Sequence, residues 1–195
     1  PNHTMTHVLN YALREVLGTE ANQKGSLVDA EKLRFDYSTN KPLSMDQIGG
    51  VQDKCNGIIK SKLQVYTDTI KYKQATSINA LRAMFGERYP EKVRVVSIGI
   101  EPKTALSKPN DKTNFNYSIE LCGGTHLNNT SEAGDFVFLS DDALSAGIRR
   151  VVGLTGKGAK RAIQDANELN EEFKEASLLD GGMELSKKCS ELSFK

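Results

Sequence analysis

All three histidines of the chain lie in two short segments, His3-Thr4-Met5-Thr6-His7 and Cys122-Gly123-Gly124-Thr125-His126, and the second also carries one of the three cysteines. More than a hundred residues separate the segments, so a fold that uses them together must close a long loop. Successive residues of a helix turn by about 100°. His3 and His7, four apart, therefore share one face, with Thr4 and Thr6 projecting to either side. The second segment works differently. Two glycines between Cys122 and His126 predict a tight loop after a strand, where backbone can approach a ligand closely and offer N–H donors to an oxyanion. Imidazole and thiolate form an ordinary zinc donor set. His3, His7, Cys122 and His126 are accordingly expected to converge on one divalent ion, zinc. With all four bound the site is closed and the ion orients. With one replaced by water or substrate, the ion lowers the pKa of water or holds the scissile group. Thr4 stands where an HExxH protease keeps its general base. That disfavours peptide hydrolysis and favours a more labile bond, such as an activated ester.

Composition narrows the setting. The 195 residues suffice for one substantial domain, or one domain with an appendage. A net charge of +1 neither requires nor excludes nucleic acid, so any basic surface must be local. No apolar run has the length of a membrane span, and no signal peptide is visible. Three widely spaced cysteines, Cys55, Cys122 and Cys189, do not make a disulfide framework and suit a reducing cytoplasm. Cys55 and Cys189 fall at helical positions and are expected to be ordinary thiols. The chain opens without Met, directly on its first candidate ligand, as expected of a piece of a longer protein.

Periodicity predicts the elements. Val8, Leu9, Ala12, Leu13, Val16 and Leu17 recur at helical spacing over 3–17, and Gly18 stops that helix. Residues 22–28 form a short strand or turn. Leu33, Phe35 and Tyr37 alternate with Arg34 and Asp36 as a half-buried strand, with a hairpin through residues 29–32. Ser44 and Gln47 resemble a capping box for a helix over 45–63, which Gly49-Gly50 weaken. Further strands are expected at 64–72, 92–99, 117–121, 135–139 and 148–155. Helices are expected at 74–85 and after Ser140, with Asp141 and Asp142 in the first turn of the latter. The polar stretch 101–115 reads as a mobile surface loop. A helical tail over 157–177 is broken at 178–182 and resumes at 183–193. The sum is an α+β fold with a mainly antiparallel sheet and packed helices. It is organised as a domain over 1–156 and a helical tail over 157–195. The basic pair Arg149-Arg150, and Lys157, Lys160 and Arg161 on the tail, are candidates for RNA phosphate contact.

The segments NHTMTHVLNYALREVLG, QKGSLV, LRFDYS, RVVSIG, ELCGGTH and GIRRVVGLTG resemble, in this order, the editing domain of alanyl-tRNA synthetase. The similarity covers nearly the whole chain to about residue 160. ALRAMFGERYP, leading into 93–99, is similar to the eukaryotic cytosolic type in particular. Free-standing alanyl-tRNA editing proteins and the threonyl-tRNA synthetase editing domain share the metal motif. The resemblance implies hydrolysis of tRNA(Ala) mischarged with serine or glycine, with the rest of the synthetase chain as partner in cis and no membrane. It places the zinc ligands at His3, His7, Cys122 and His126. It gives Thr6 the sensing of serine and Gln23 an action on substrate or water. It makes Arg149 a tRNA contact, with Gly123 and Gly124 admitting the terminal adenosine or its ester. Serine is larger than alanine, so size alone cannot spare the correct product, whereas a hydroxyl that pairs with the seryl hydroxyl can. Methionine stands in the middle of HTMTH, where the family commonly has alanine. Two rival functions are a generic metallohydrolase of small esters and a zinc-stabilised tRNA-binding module without catalysis of its own.

Overall fold

The computed structural model describes residues 1–18, 20–84 and 86–177. Its central element is α1 (Asn2–Leu17), in which Thr4 through Leu13 are all buried. A single amphipathic stripe cannot explain that burial. The helix is enclosed because it lies against two separate sheets and a second helix, α2 (Met45–Lys60). The larger sheet has the order β1 (Gln23–Val28), β2 (Lys32–Ser38), β7 (Ile148–Thr155), β6 (Phe136–Ser145). The smaller has the order β3 (Val65–Lys71), β4 (Lys92–Ile98), β5 (Ser118–Leu121). All pairings within both sheets are antiparallel. The α+β class with packed helices and a C-terminal helix is therefore what forms, divided over two sheets.

Local chemistry accounts for most boundaries. The Ser44 hydroxyl accepts from the Gln47 backbone and the Gln47 side chain accepts from the Ser44 backbone, closing the capping box that starts α2. Leu33, Phe35 and Tyr37 point inward from β2 and are fully buried. They meet Met5, Leu9 and Leu13 of α1 and Val51 and Cys55 of α2 in the main core. The β4 strand is apolar on both faces because both are covered. Val96 and Ile98 join the main core, while Val93 and Val95 join a second one with Ile78, Ala80, Ala105 and Ile119.

Three expectations are corrected. The helix expected at 74–85 is one turn, α3 (Tyr72–Ala75). The Thr76 hydroxyl takes up the Tyr72 and Lys73 carbonyls, and the Asn79 N–H goes to Pro109. The chain then runs beside β5 as a parallel bridge, with Arg82 N–H donating to Ile119 and Leu121 N–H donating to Arg82. Ile78 and Ala80 gain burial this way that a continuous helix would not give them. The stretch 101–115 is built, not an open loop. Pro102 sits at the start of α4 (Pro102–Ser107), and Asn114, in the 3-10 turn Lys112–Asn116, is buried with its amide bonded to Asn79 and Lys108. No helix follows Ser140. The β6 strand continues to Ser145, because irregularities in the ladder at 138–140 and 143–145 absorb Leu139 and Leu144 and keep Asp141 facing Arg149.

The last described helix, α5 (Gly156–Ser177), leaves the end of β7 and buries Ala159, while Ile163, Leu169 and Phe173 stay exposed. The expected break at 178–182, the resumed helix at 183–193 and Cys189 lie outside the described residues. Among the described residues no helix is long and apolar enough to cross a membrane.

Candidate metal centre

One donor atom each from His3, His7, Cys122 and His126 can be chosen so that all four lie within 4.8 Å of one another. The helix supplies His3 and His7 from adjacent turns. The strand β5 delivers the rest. Ser118 and Glu120 point toward α1, and alternation carries Cys122 to the same side. Cys122 Sγ is 3.3 Å from His3 Nε2 and 3.4 Å from His126 Nε2. Tetrahedral zinc, with bonds of about 2.3 Å to sulfur and 2.0 Å to nitrogen, separates such donors by about 3.5 Å. The donor set and its spacing therefore fit a closed or nearly closed zinc site.

His3 and His126 each have a hydrogen-bond partner outside the donor set, which orients the ring, whereas His7 Nδ1 has none. His126 Nδ1 is 3.2 Å from the Thr4 hydroxyl, which also accepts from Leu127 N–H at 3.0 Å. His3 has a hydrogen bond with the Thr125 backbone. His7 Nδ1 lies 3.2 Å from Glu120 Oε2, an ion-pair distance, though without the alignment of a hydrogen bond. The other Glu120 oxygen accepts from Asn10 at 2.9 Å, and Arg82 Nη1 is 3.8 Å from it. Arg94 of β4 donates to the carbonyls of Cys122 and Gly124 and so pins the CGGTH loop. Gly124 N–H points at Cys122 Sγ, 3.4 Å away.

The two glycines differ. A Cβ on Gly124 would overlap the His3 ring, whereas one on Gly123 would meet nothing within 4 Å. Gly124 is thus glycine because the His3 imidazole lies against its backbone.

Burial sets the charge of the centre. It holds His7 and His126 neutral, each lowered to about 3, with the neighbouring histidines and Arg94 adding to the effect. Burial also lowers His3 and pushes the Cys122 thiol up. It lifts Glu120 to about 7 against the pull of Arg82. The sign for metal uptake follows. The imidazoles are already unprotonated in the neutral range and release nothing, while the thiol must lose its proton. Zinc affinity is expected to rise by about tenfold per pH unit between about pH 6 and 8, with one proton released per ion. Competition titrations against a chromophoric chelator at several pH values measure this, and a flat profile would contradict it.

The other residues singled out in the sequence are dispersed over the fold. Thr6 is buried, and its hydroxyl donates to the Asn2 carbonyl at 2.9 Å. Gln23 opens β1 and donates to Ser26 Oγ at 3.0 Å. It lines a 620 Å³ cleft beside Asn10, Arg82 and Glu120. Arg149 is away from the donors. Its Nε donates to Asp141 Oδ2 at 2.8 Å and its Nη2 to the Asp141 carbonyl at 2.7 Å, so two of its three nitrogens are engaged inside the β6–β7 hairpin. Arg150 grips Asp36 through two hydrogen bonds. Lys157, Lys160 and Arg161 are exposed on α5.

Sequence reasoning missed Thr4, Arg94, Glu120 and Asn10 as supports of the centre. A signal existed for Glu120: an acid in the otherwise apolar end of a strand, two residues before a ligand and on its face. Asn10 continues the His3–His7 face. Nothing local marks Arg94.

Comparison with known proteins adds what the chain is similar to. Residues 93–152 match the threonyl and alanyl tRNA synthetase second additional domain. The alanine–tRNA ligase of Schizosaccharomyces pombe is 46% identical over 169 residues, 87% of this chain and 18% of that protein. The mitochondrial alanine–tRNA ligase of Saccharomyces cerevisiae is 44% identical over 194 residues, covering all of this chain and 20% of that protein. The cytoplasmic alanine–tRNA ligase of Dictyostelium discoideum is 42% identical over 191 residues, 98% of this chain and 20% of that protein. The chain spans about a fifth of the length of these curated relatives. It is homologous to alanine–tRNA ligases through nearly all of its residues, and within it lies a second additional domain of the threonyl and alanyl tRNA synthetase kind.

Proposed function

We propose that this chain is the editing deacylase of a cytoplasmic alanine–tRNA ligase of the eukaryotic type, releasing serine or glycine from mischarged tRNA(Ala) at a zinc site. The observation that carries the proposal is the convergence of His3, His7, Cys122 and His126 beside the cleft lined by Gln23. When bound, zinc would supply Lewis-acid polarisation of the ester or an acidified water.

The chain's own residues do the rest. Thr4 holds His126 and Glu120 faces His7, so the donors keep one orientation. One N–H of the Gln23 amide donates to Ser26, and its Oε1 is left to accept a proton from, and so orient, a water in the cleft. The Thr6 proton is committed to Asn2, so Thr6 offers the seryl hydroxyl an acceptor lone pair. Alanine, lacking a hydroxyl, gains nothing from it. Exposed Lys157 and Lys160, with the remaining Arg149 nitrogen, are the proposed phosphate contacts, and the rest of the synthetase chain is the partner in cis.

The test is release of serine from Ser-tRNA(Ala), with and without a zinc chelator. Activity lost with the metal and restored by zinc is expected. Release of the amino acid from a simple seryl ester at the same rate as from the tRNA would favour a generic esterase. Binding of tRNA without release would favour a binding module. Thr6→Val is expected to narrow the preference for seryl- over alanyl-tRNA by roughly tenfold or more. An unchanged ratio of the two deacylation rates would remove the sensing role.

A further inference from the structure

Among the described residues, three buried side-chain nitrogens lack a hydrogen-bond partner: His7 Nδ1, and Nε and Nη1 of Arg82. Two of them flank one carboxylate. His7 Nδ1 is 3.2 Å from Glu120 Oε2, and Arg82 Nη1 is 3.8 Å from Glu120 Oε1. The work of the two oxygens is divided. Oε1 accepts from Asn10 at 2.9 Å and from the Ser118 hydroxyl at 3.4 Å, with Arg82 on the same side. Oε2 faces His7.

The backbone delivers Arg82 to this place. Its N–H donates to the Ile119 carbonyl and its carbonyl accepts from Leu121 N–H, both at 2.9 Å. These two bonds straddle Glu120, with which Arg82 forms the parallel bridge. The Tyr11 ring covers the guanidinium, with its centroid 5.6 Å from the central carbon. The Arg82 and Glu120 side chains are 10% and 8% exposed. A buried ion pair gives little net stability over apolar residues of the same volume. What this one fixes is the place of a carboxylate beside a candidate ligand.

We propose that Arg82 is a positioning residue for the donor set: with Asn10 it holds Glu120 so that Oε2 accepts a hydrogen bond from His7 Nδ1 and His7 Nε2 is left for the ion. The assignment rests on the zinc reading of the four donors. A neutral imidazole carries its proton on one nitrogen only. A carboxylate at Nδ1 therefore selects the tautomer whose free lone pair is on Nε2. Arg82 acts through Glu120 and not on the ion.

Charge alone predicts the opposite sign. Burial first, then His3, Arg82 and Arg94, keep positive charge off His7. A buried cation near a cation site repels the ion, so its removal would strengthen zinc binding. If Arg82 acts through Glu120, its removal weakens zinc binding instead. Glu120→Gln gives a second discriminating sign. The amide has one oxygen, and the Oε1 position accepts from Asn10. The N–H₂ therefore faces His7 and donates to Nδ1, which moves the ring proton to Nε2, where it blocks the ion.

Two measurements on the 195-residue chain test this: zinc affinity by chelator competition, and the His7 tautomer by nitrogen-15 NMR of the metal-free protein. Arg82→Met and Glu120→Gln are each expected to weaken zinc by about tenfold or more. The double variant, which removes both charges together, is expected to stay within about threefold of Glu120→Gln alone. The His7 proton is expected on Nδ1 in the parent and on Nε2 in Glu120→Gln. Zinc bound as tightly or more tightly by Arg82→Met would overturn the assignment, as would a parent ring protonated on Nε2. So would a double variant that binds zinc well above Glu120→Gln. Should Arg82→Met not fold, with Glu120 left unpaired, the double variant against Glu120→Gln carries the same comparison. If the parent takes up no zinc, the reading of the donors falls and the assignment with it. If the parent binds zinc and Arg82→Met binds it equally well, only the assignment falls.

Discussion

Cys122→Ala is expected to weaken zinc binding by at least about a hundredfold, since even partners outside the ligand shell cost 10–100-fold. Serine release should fall with it. Cys122 is half-buried at the end of β5, outside the fully buried core, so the fold has little reason to follow the ligand. Its sulfur is the common neighbour of His3 and His126, at 3.3 and 3.4 Å. It is also the only donor of the set able to bring negative charge to the ion. Metal content by mass spectrometry, with circular dichroism as the control for folding, measures the effect. Zinc retained at full affinity would exclude Cys122 from the site. Deacylation retained without zinc would exclude a metal-dependent reaction.

The second large effect separates two adjacent glycines. Gly124→Ala places a methyl group inside the space of the His3 ring, and Gly123→Ala places one in open space. The Gly124 backbone has little freedom to retreat, because its carbonyl is held by Arg94 and its N–H faces Cys122 Sγ. His3, close to the start of α1, has to yield, and a donor leaves the set. Gly124→Ala is expected to approach Cys122→Ala in lost zinc affinity, while Gly123→Ala stays within about threefold of the parent, as an exposed substitution that meets nothing. Chelator competition on the two variants side by side decides it. Equal effects would mean that the loop needs its glycines for conformation or for substrate, rather than Gly124 for the ring of His3.

Local rules served well where one physical cause dominates. The capping box at Ser44 and Gln47 is closed by two hydrogen bonds within four residues, so it is visible in the string itself. The alternation of Leu33, Phe35 and Tyr37 survives because β2 has one face on the core. The readings failed where distant partners redirected the chain. Residues 76–84 have helical composition, yet their backbone is claimed by β5 and by Pro109. Asp141 and Asp142 look like acids for a helix start, but Asp141 holds Arg149, Tyr37 and the Leu43 N–H and therefore belongs to a strand. Asn114 turns a polar stretch into a structured one by bonding Asn79 and Lys108.

The candidate centre divides the same way. Donor chemistry and helical spacing identified the four candidate ligands, because side-chain type and a four-residue step are properties of the chain alone. The environment of those ligands came from the enclosure of α1 between two sheets. That enclosure buries His7, sets Glu120 beside it, brings Thr4 to His126 and presses His3 against Gly124. Pairing across the β6–β7 hairpin likewise holds Arg149 on Asp141, and two guanidinium nitrogens of Arg82 stay buried without a hydrogen-bond partner. Burial and the pairing of groups far apart in sequence depend on which surfaces meet, and only the tertiary structure decides that.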